Sequence, residues 1–162
     1  MTASSVTLLE RRRLEAAALK LVYDVLVERL GPAEALEIIG RAVETSALAD
    51  GAYFAAQAPD GPGLEHFATV LERLTAGGAL EVEGVSLDRD SFAYTVRRCR
   101  YVEQYRAMGV GPDLAAALSC RRDAAFARGY SPDMVMERPE TIAQGADACR
   151  FVYRLPACVR EG

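Results

Sequence analysis

Tryptophan is absent from this 162-residue sequence, and histidine occurs once, as His66. A Ser-His-Asp triad or a Cys-His pair would have to use that one imidazole. His66 falls in a segment, 64–74, whose apolar spacing predicts a helix with a solvent-facing side. Catalysis through histidine is therefore not expected.

Long apolar runs are also absent, since none approaches the roughly 18 residues that a membrane-spanning helix needs. The first residues lead into the charged stretch Glu10–Arg13 rather than into an apolar secretory segment. These observations predict a cytoplasmic protein, in which thiols stay reduced. Its cysteines are expected to be free, catalytic or metal-bound, and they are Cys99, Cys120, Cys149 and Cys158.

An excess of basic charge is missing as well: the formal net charge is −4 and the pI is near 5.1. Nucleic-acid binding needs a concentrated basic face. The short clusters Arg11–Arg13 and Arg97–Arg100 are mixed with acids and do not form one. We expect a small-molecule substrate as the partner, with no nucleic acid and no membrane; a homo-oligomer is compatible with the sequence.

Hydrophobic residues make up 51% of the chain, enough for one domain over residues 1–162 to bury its own core. Helical periodicity covers 6–30, with Ser5 or Thr7 as N-cap and Gly31-Pro32 as a break before a second helix to about Ala55. A third helix is predicted over 64–74, before Gly77-Gly78.

Two hairpins are predicted from alternating apolar and polar residues, 80–83 with 92–97 and 134–137 with 149–153. Between them, helices are predicted over 101–108 and from Pro112 until Gly129 stops the second one. The fold class is therefore α+β: N-terminal helices packed on a small antiparallel sheet made of two hairpins, with helices inserted between them.

Candidate reactive groups are concentrated in the last third of the chain. Cys99 is expected to end a strand, Cys120 and Asp123 to share a helix face because they are three residues apart, and Cys149 to begin the last strand. The thiols and the carboxylate are groups that can take part in chemistry, and a packed core does not need this combination.

The last third of the chain resembles the L-2-amino-thiazoline-4-carboxylic acid hydrolase family. The residues that carry the resemblance are Cys99-Arg100-Tyr101, Gly109, Leu118–Asp123, Arg138, Thr141-Ile142, Gly145 and Cys149–Tyr153. The resemblance implies an enzyme that hydrates 2-aminothiazoline-4-carboxylate at its amidine-like carbon and opens the ring to S-carbamoylcysteine. A weaker similarity to vinyl-reductase-type ligand-binding domains implies small-molecule sensing instead.

The catalytic candidates are Cys120, Asp123 and Cys149. Cys120 would act as a nucleophilic thiolate, its pKa lowered by Arg121, Arg122 or Arg138. Asp123 would move a proton to the departing nitrogen. The competing interpretations are a buried core cysteine and a solvated helix aspartate.

The substrate-binding candidates are Arg138, Thr141, Cys99, Tyr101 and Gly145. Arg138 would pair with a substrate carboxylate, or else with Glu137 or Glu140 at the surface. Thr141 would bind substrate or cap a helix, and Gly145 would supply backbone geometry. No cofactor is required. A zinc site formed by Cys99, Cys120 and Cys149 is the alternative, and it would activate water instead of a thiol.

The sequence departs from the family pattern at Pro139-Glu140, so we expect substrate choice to be determined there. Two other classes remain open besides the hydrolase. One is a non-catalytic small-molecule sensor with a cysteine-lined pocket, and the other is an interaction protein, which predicts no enclosed pocket near Cys120.

Overall fold

A computed structural model describes residues 6–156. Two long helices, α1 (Leu8–Leu30) and α2 (Pro32–Ala55), open the chain. The Thr7 hydroxyl caps α1 by accepting from the Glu10 amide at 3.2 Å, while the other predicted cap, Ser5, lies outside the described residues. Gly31 has φ +85°, which favours glycine, and Pro32 starts α2. The predicted break is confirmed.

The third predicted helix is two short ones, α3 (Leu64–Ala68) and α4 (Val70–Thr75). Thr69 separates them, because both its amide and its hydroxyl donate to the His66 carbonyl, at 3.1 and 2.7 Å. A 3₁₀ turn, Ala76–Gly78, leads from α4 into the sheet.

Four antiparallel strands form one sheet: β1 (Leu80–Leu87), β2 (Ser91–Cys99), β3 (Val135–Glu137) and β4 (Cys149–Arg154). Their order is β1-β2-β4-β3, so both predicted hairpins are confirmed. The pairing of β2 with β4 joins the hairpins and sets Val96 opposite Cys149.

Three helices lie between the hairpins: α5 (Arg100–Ala107), α6 (Pro112–Ala115) and α7 (Arg121–Tyr130), the last two joined by a π-helical segment, Ala116–Cys120. Gly129 does not stop this helix, contrary to the prediction. A Cβ on Gly129 would lie 2.2 Å from the Leu48 carbonyl oxygen, and one on Gly51 would lie 2.2 Å from the Phe126 carbonyl oxygen. The two glycines let α2 and α7 cross in close contact.

Two apolar clusters hold these layers together. The larger one packs the aromatic face of the sheet, including Phe92 and Tyr153, against Phe67 and Tyr130 from the helices. The second joins α1, α2 and the α5–α6 region around Ile39 and Tyr105. Within residues 6–156, no helix has the length and apolar character needed to cross a membrane.

Candidate functional site

A cavity of about 290 Å³ lies between the sheet and the helices. Its walls include all three described cysteines, Cys99, Cys120 and Cys149, together with Asp123 and Arg138. A partly open pocket is thus present beside Cys120, whereas the interaction-protein alternative predicts none there. The fourth cysteine, Cys158, lies outside the described residues.

Different elements deliver these side chains to one place. Cys99 ends β2 and Cys149 begins the neighbouring β4, which puts two thiols at the same end of adjacent antiparallel strands. Cys120 ends the π-helical segment and Asp123 lies in the first turn of α7. Extra backbone in a π turn re-aims side chains and is frequent at functional sites. The predicted positions of these four residues are confirmed.

Asp123 and Arg138 form an ion pair on the cavity wall. The Arg138 Nη1 donates to the Asp123 Oδ2, and its Nη2 donates to the Cys120 carbonyl oxygen at 2.9 Å. The guanidinium also lies over the Phe151 ring, 5.1 Å from its centroid. Only 9% of the Arg138 side chain is exposed.

Arg138 therefore does not pair with its sequence neighbours. Glu137 pairs with Arg154 at 3.5 Å, and Glu140 pairs with Arg150 at 3.4 Å, both at the surface. The surface interpretation of Arg138 is wrong. Because both terminal nitrogens of Arg138 already have partners, its role as a free anchor for a substrate carboxylate would require Asp123 to release it.

Burial dominates the electrostatics of this pair. Desolvation raises the pKa of Asp123, and the nearby Arg138 only partly opposes that rise. Burial by itself would lower the pKa of Arg138, but Asp123 reverses the effect and the net shift is upward. The pKa of Asp123 therefore lies above that of an ordinary aspartate.

All three thiols are held in the neutral form. Burial, with a contribution from Asp123, raises the pKa of Cys120 to about 12, and burial raises the pKa of Cys99 to about 11. The pKa of Cys149 is also raised by burial, although the Ile142 amide donates to its sulfur at 3.2 Å. The structure thus reverses the predicted lowering for Cys120.

The arginines that follow Cys120 explain this reversal. Arg121 points away from the cavity and pairs with Glu37 and Glu44, at 3.2 and 3.8 Å. Arg122 is directed toward Glu15 of α1 and Asp50 of α2, at 3.6 Å from each. Only Arg138 acts to lower the pKa of the Cys120 thiol, and desolvation outweighs it.

Tyrosine hydroxyls add polar groups to the walls. Tyr94 and Tyr153 share a hydrogen bond of 3.4 Å between their hydroxyl oxygens, inside the aromatic cluster. Tyr101 lines the cavity as predicted, and its hydroxyl donates to the Leu74 carbonyl at 3.2 Å. Burial raises the pKa of Tyr101 to about 12, so it also stays protonated.

Two predicted substrate residues lie outside the cavity. Thr141 caps a 3₁₀ turn, Ile142–Gln144, by accepting from the Gln144 amide at 3.3 Å, which is the capping alternative. Gly145 ends that turn with φ +101°. Pro139 and Glu140 are exposed and do not line the cavity either, so the departure from the family pattern lies outside it.

His66 has a packing role. Its ring stacks on Phe54 with centroids 4.5 Å apart, and its Nδ1 lies 3.0 Å from the Tyr130 hydroxyl. It is not among the residues that line the cavity.

Sequence reasoning missed the arginine-rich end of the cavity, where α1, α2, α4 and α7 meet. The charged side chains there are Arg11, Arg12, Asp50, Arg73 and Arg122. The available signal was the doublet Arg121-Arg122 beside Cys120. Adjacent residues of a helix point in different directions, so one of the two arginines could face the cavity while the other faced away. The first half of the chain thus contributes charged side chains to the cavity walls.

A partly open, partly polar cavity between helices and a small antiparallel sheet characterises this α+β protein. The chain belongs to the L-2-amino-thiazoline-4-carboxylic acid hydrolase family, whose model matches residues 11–153. This confirms the resemblance seen in the last third and extends it to Arg11.

The fold is also similar to the phenol-responsive sensory domain of the transcription activator PoxR, solved with phenol. The TM-score is 0.55 at 16% identity, over 86% of this chain and 74% of that one. No curated protein matches the chain.

Proposed function

We propose that this protein is a hydrolase that opens a cyclic C–N bond, of the amidine or thiazoline type, in a small amino-acid-derived substrate bound in the cavity. The observation that supports this best is that the Asp123–Arg138 pair and the three thiols line the same cavity. Family membership names the reaction class.

In this proposal Asp123 moves the proton. Its carboxylate accepts a proton as a nucleophile attacks the amidine-like carbon, and then gives that proton to the ring nitrogen as the C–N bond breaks. With 2-aminothiazoline-4-carboxylate, addition of one water and cleavage of that bond yields S-carbamoylcysteine. Arg138 holds the carboxylate in place through the two contacts described above.

The nucleophile is water in the main form of the proposal, because the Cys120 thiol is neutral in the free protein. In the second form, Cys120 attacks the amidine-like carbon while Asp123 accepts the thiol proton and passes it to the ring nitrogen as the C–N bond breaks. Water then adds to the same carbon and expels the Cys120 thiol, which leaves S-carbamoylcysteine. Cys149 and Cys99 would line the site in either form. Metal-activated water is a third form, but among residues 6–156 no three His, Cys, Asp or Glu side chains are grouped to hold a metal ion.

The test is turnover of 2-aminothiazoline-4-carboxylate, followed by mass spectrometry of the ring-opened product. We expect Asp123→Asn to lower kcat about 100-fold or more. Asp147→Asn is the matched control, since Asp147 is exposed and lies outside the cavity. Retained activity in Asp123→Asn would eliminate the proton-transfer role.

Cys120→Ala then separates the two nucleophiles. If water attacks, kcat stays within a few-fold of the wild-type value. If the thiol attacks, activity is lost. The comparison is valid only for a folded variant, which circular dichroism verifies.

A second candidate function is a non-catalytic sensor, favoured by the neutral thiols and by the aromatic walls of the cavity. The structural likeness to a sensory domain solved with phenol agrees with this function. Tight binding of phenols or other small aromatics without turnover of any thiazoline would support the sensor over the hydrolase.

A further inference from the structure

The charge of the cavity walls is opposite in sign to that of the whole chain. Five arginines and two aspartates line the cavity among the described residues, a formal surplus of three positive charges in a protein of net charge −4. An uncharged ligand needs no such surplus. The imbalance points to an anionic group on the bound molecule.

Arg122 is a largely buried arginine whose donors are only partly satisfied. Its side chain is only 13% exposed, and its Nε and Nη1 are buried with no hydrogen-bond partner in residues 6–156. Its contacts with Glu15 Oε2 and Asp50 Oδ2 are both 3.6 Å, which is ion-pair range but too long for a hydrogen bond. Buried donors without partners are rare in folded proteins.

Arg12 lies on α1 facing Arg122 and is equally buried, with 13% of its side chain exposed. It donates to Glu15 at 2.6 Å and reaches Asp50 at 3.7 Å. Desolvation and the nearby Arg12 both lower the pKa of Arg122, and Glu15 and Asp50 only partly oppose this. A further anion beside the two guanidiniums would relieve that repulsion.

We infer that Arg122 and Arg12 form the subsite that binds the carboxylate of the ligand. In this inference one small molecule spans the anion subsite and the proton-transfer carboxyl, because Arg122 and Asp123 are consecutive in α7 and both line the same cavity. Arg138 is the weaker candidate, because its two terminal nitrogens donate to Asp123 and to the Cys120 carbonyl and only its buried Nε lacks a hydrogen-bond partner in residues 6–156.

The anion is a monovalent carboxylate rather than a phosphate. Glu15 and Asp50 stand beside the two guanidiniums and offset part of the positive charge at this end of the cavity. Both carboxylates would repel a phosphate dianion more strongly than a monocarboxylate, because the repulsion scales with the charge of the anion. A single carboxylate on an amino-acid-like molecule matches the charge, and this substrate class rests on the hydrolase function proposed above.

The test compares ligand pairs that differ only in the anionic group. Calorimetric titration with 2-aminothiazoline-4-carboxylate and 2-aminothiazoline is one pair, and benzoate with benzyl alcohol is the other. We expect the wild type to prefer the carboxylate member, and Arg122→Gln to reduce that preference about tenfold or more, because a charged hydrogen bond is lost. Affinity for the uncharged members should change little.

Arg121→Gln is the matched control, since Arg121 pairs with Glu37 and Glu44 and does not line the cavity. Because Arg122 also bridges helices, Arg12→Gln and Arg122→Lys supply independent variants if Arg122→Gln fails to fold. Arg12→Gln should lower carboxylate binding in the same selective way.

The subsite is wrong if the wild type shows no preference for the carboxylate in either pair, which includes no binding at all. It is also wrong if the arginine variants weaken both members equally. Turnover is measured separately from binding. Selective carboxylate binding without turnover would support the subsite and contradict the hydrolase function. Turnover that Arg122→Gln leaves unchanged would support the hydrolase function and contradict the subsite.

Discussion

Arg138, which follows β3, holds Asp123 of α7 in place across the cavity wall, with one guanidinium nitrogen on the carboxylate and the other on the Cys120 carbonyl. One side chain thus links the last hairpin to the helix that carries two of the predicted catalytic residues. We expect the same contact to stabilise the fold and to position the proposed proton-transfer carboxyl.

Replacing Arg138 by Gln should destabilise the fold by about 3 kcal/mol, because it leaves a desolvated carboxylate without its partner. Urea unfolding measures the change. The control is Arg150→Gln, whose pair with Glu140 is more than half exposed on both sides and contributes about 0 to 1 kcal/mol. Equal losses in the two variants would mean that the Asp123–Arg138 pair is solvated.

The thiols should react slowly at neutral pH. With the pKa of Cys99 at about 11 and that of Cys120 at about 12, almost no thiolate is present at pH 7. We expect iodoacetamide alkylation of the native protein to accelerate steadily up to about pH 10. The control is alkylation of the urea-unfolded chain, in which the cysteines are exposed to solvent. An inflection below pH 8 for Cys120 would restore the reactive-thiolate hypothesis.

Stability should decline in alkali. The folded pKa values of Cys99 and Cys120 lie above the ordinary value of 9.0, so the folded chain holds these protons more tightly than the unfolded chain. The contribution of these two thiols to the free energy of unfolding is complete below about pH 9 and is lost as the pH rises toward 11 or 12.

The measurement is the free energy of unfolding at about pH 8 and pH 10.5, in wild type and in Cys120→Ala. The wild type should lose about 1 to 2 kcal/mol more than the variant between these two pH values. Ionisation of Tyr101 affects the free energy of unfolding equally in both proteins, so it cancels in the comparison. A pH dependence that is identical in the two proteins would contradict a buried, protonated Cys120.

Gly129→Ala should destabilise the protein by about 2 kcal/mol or more, since the new Cβ would lie 2.2 Å from the Leu48 carbonyl oxygen. The better helix propensity of alanine, about 1 kcal/mol, does not compensate for that overlap. Gly111→Ala is the control because no atom lies within 4 Å of its added Cβ. Thermal unfolding of both variants distinguishes close packing from propensity.

Changes at the family departure should have little effect on ligand selection. Pro139→Ala and Glu140→Gln alter exposed side chains outside the cavity, so affinities for the ligand pairs should stay within about twofold. Calorimetry against the same ligands checks this. A strong change in preference would mean that the loop rearranges onto the cavity when a ligand binds.

Local patterns in the sequence were enough to predict most elements. Gly31-Pro32 ended one helix and began the next, and period-2 alternation located both hairpins. The spacing of Cys120 and Asp123 placed both on the cavity side of one helical region. These features depend on backbone geometry within a few residues, which is why the sequence alone reports them.

Gly129 shows the limit of that reasoning. Glycine commonly ends helices, yet here it lies inside α7 because α2 passes too close for any side chain. Nothing within a few residues of Gly129 reveals Leu48, which comes from a distant part of the chain.

The amino-acid sequence by itself determined the α+β class, the family, and which thiols and carboxylate end up near one another along strands and helices. Only the tertiary structure decided that Arg138 pairs with Asp123, that Arg12 and Arg122 meet at the other end of the cavity, and that the thiols are neutral. The reason is physical: ion pairs between distant elements and desolvation depend on what surrounds a group in space, and neither is set by its neighbours in the chain.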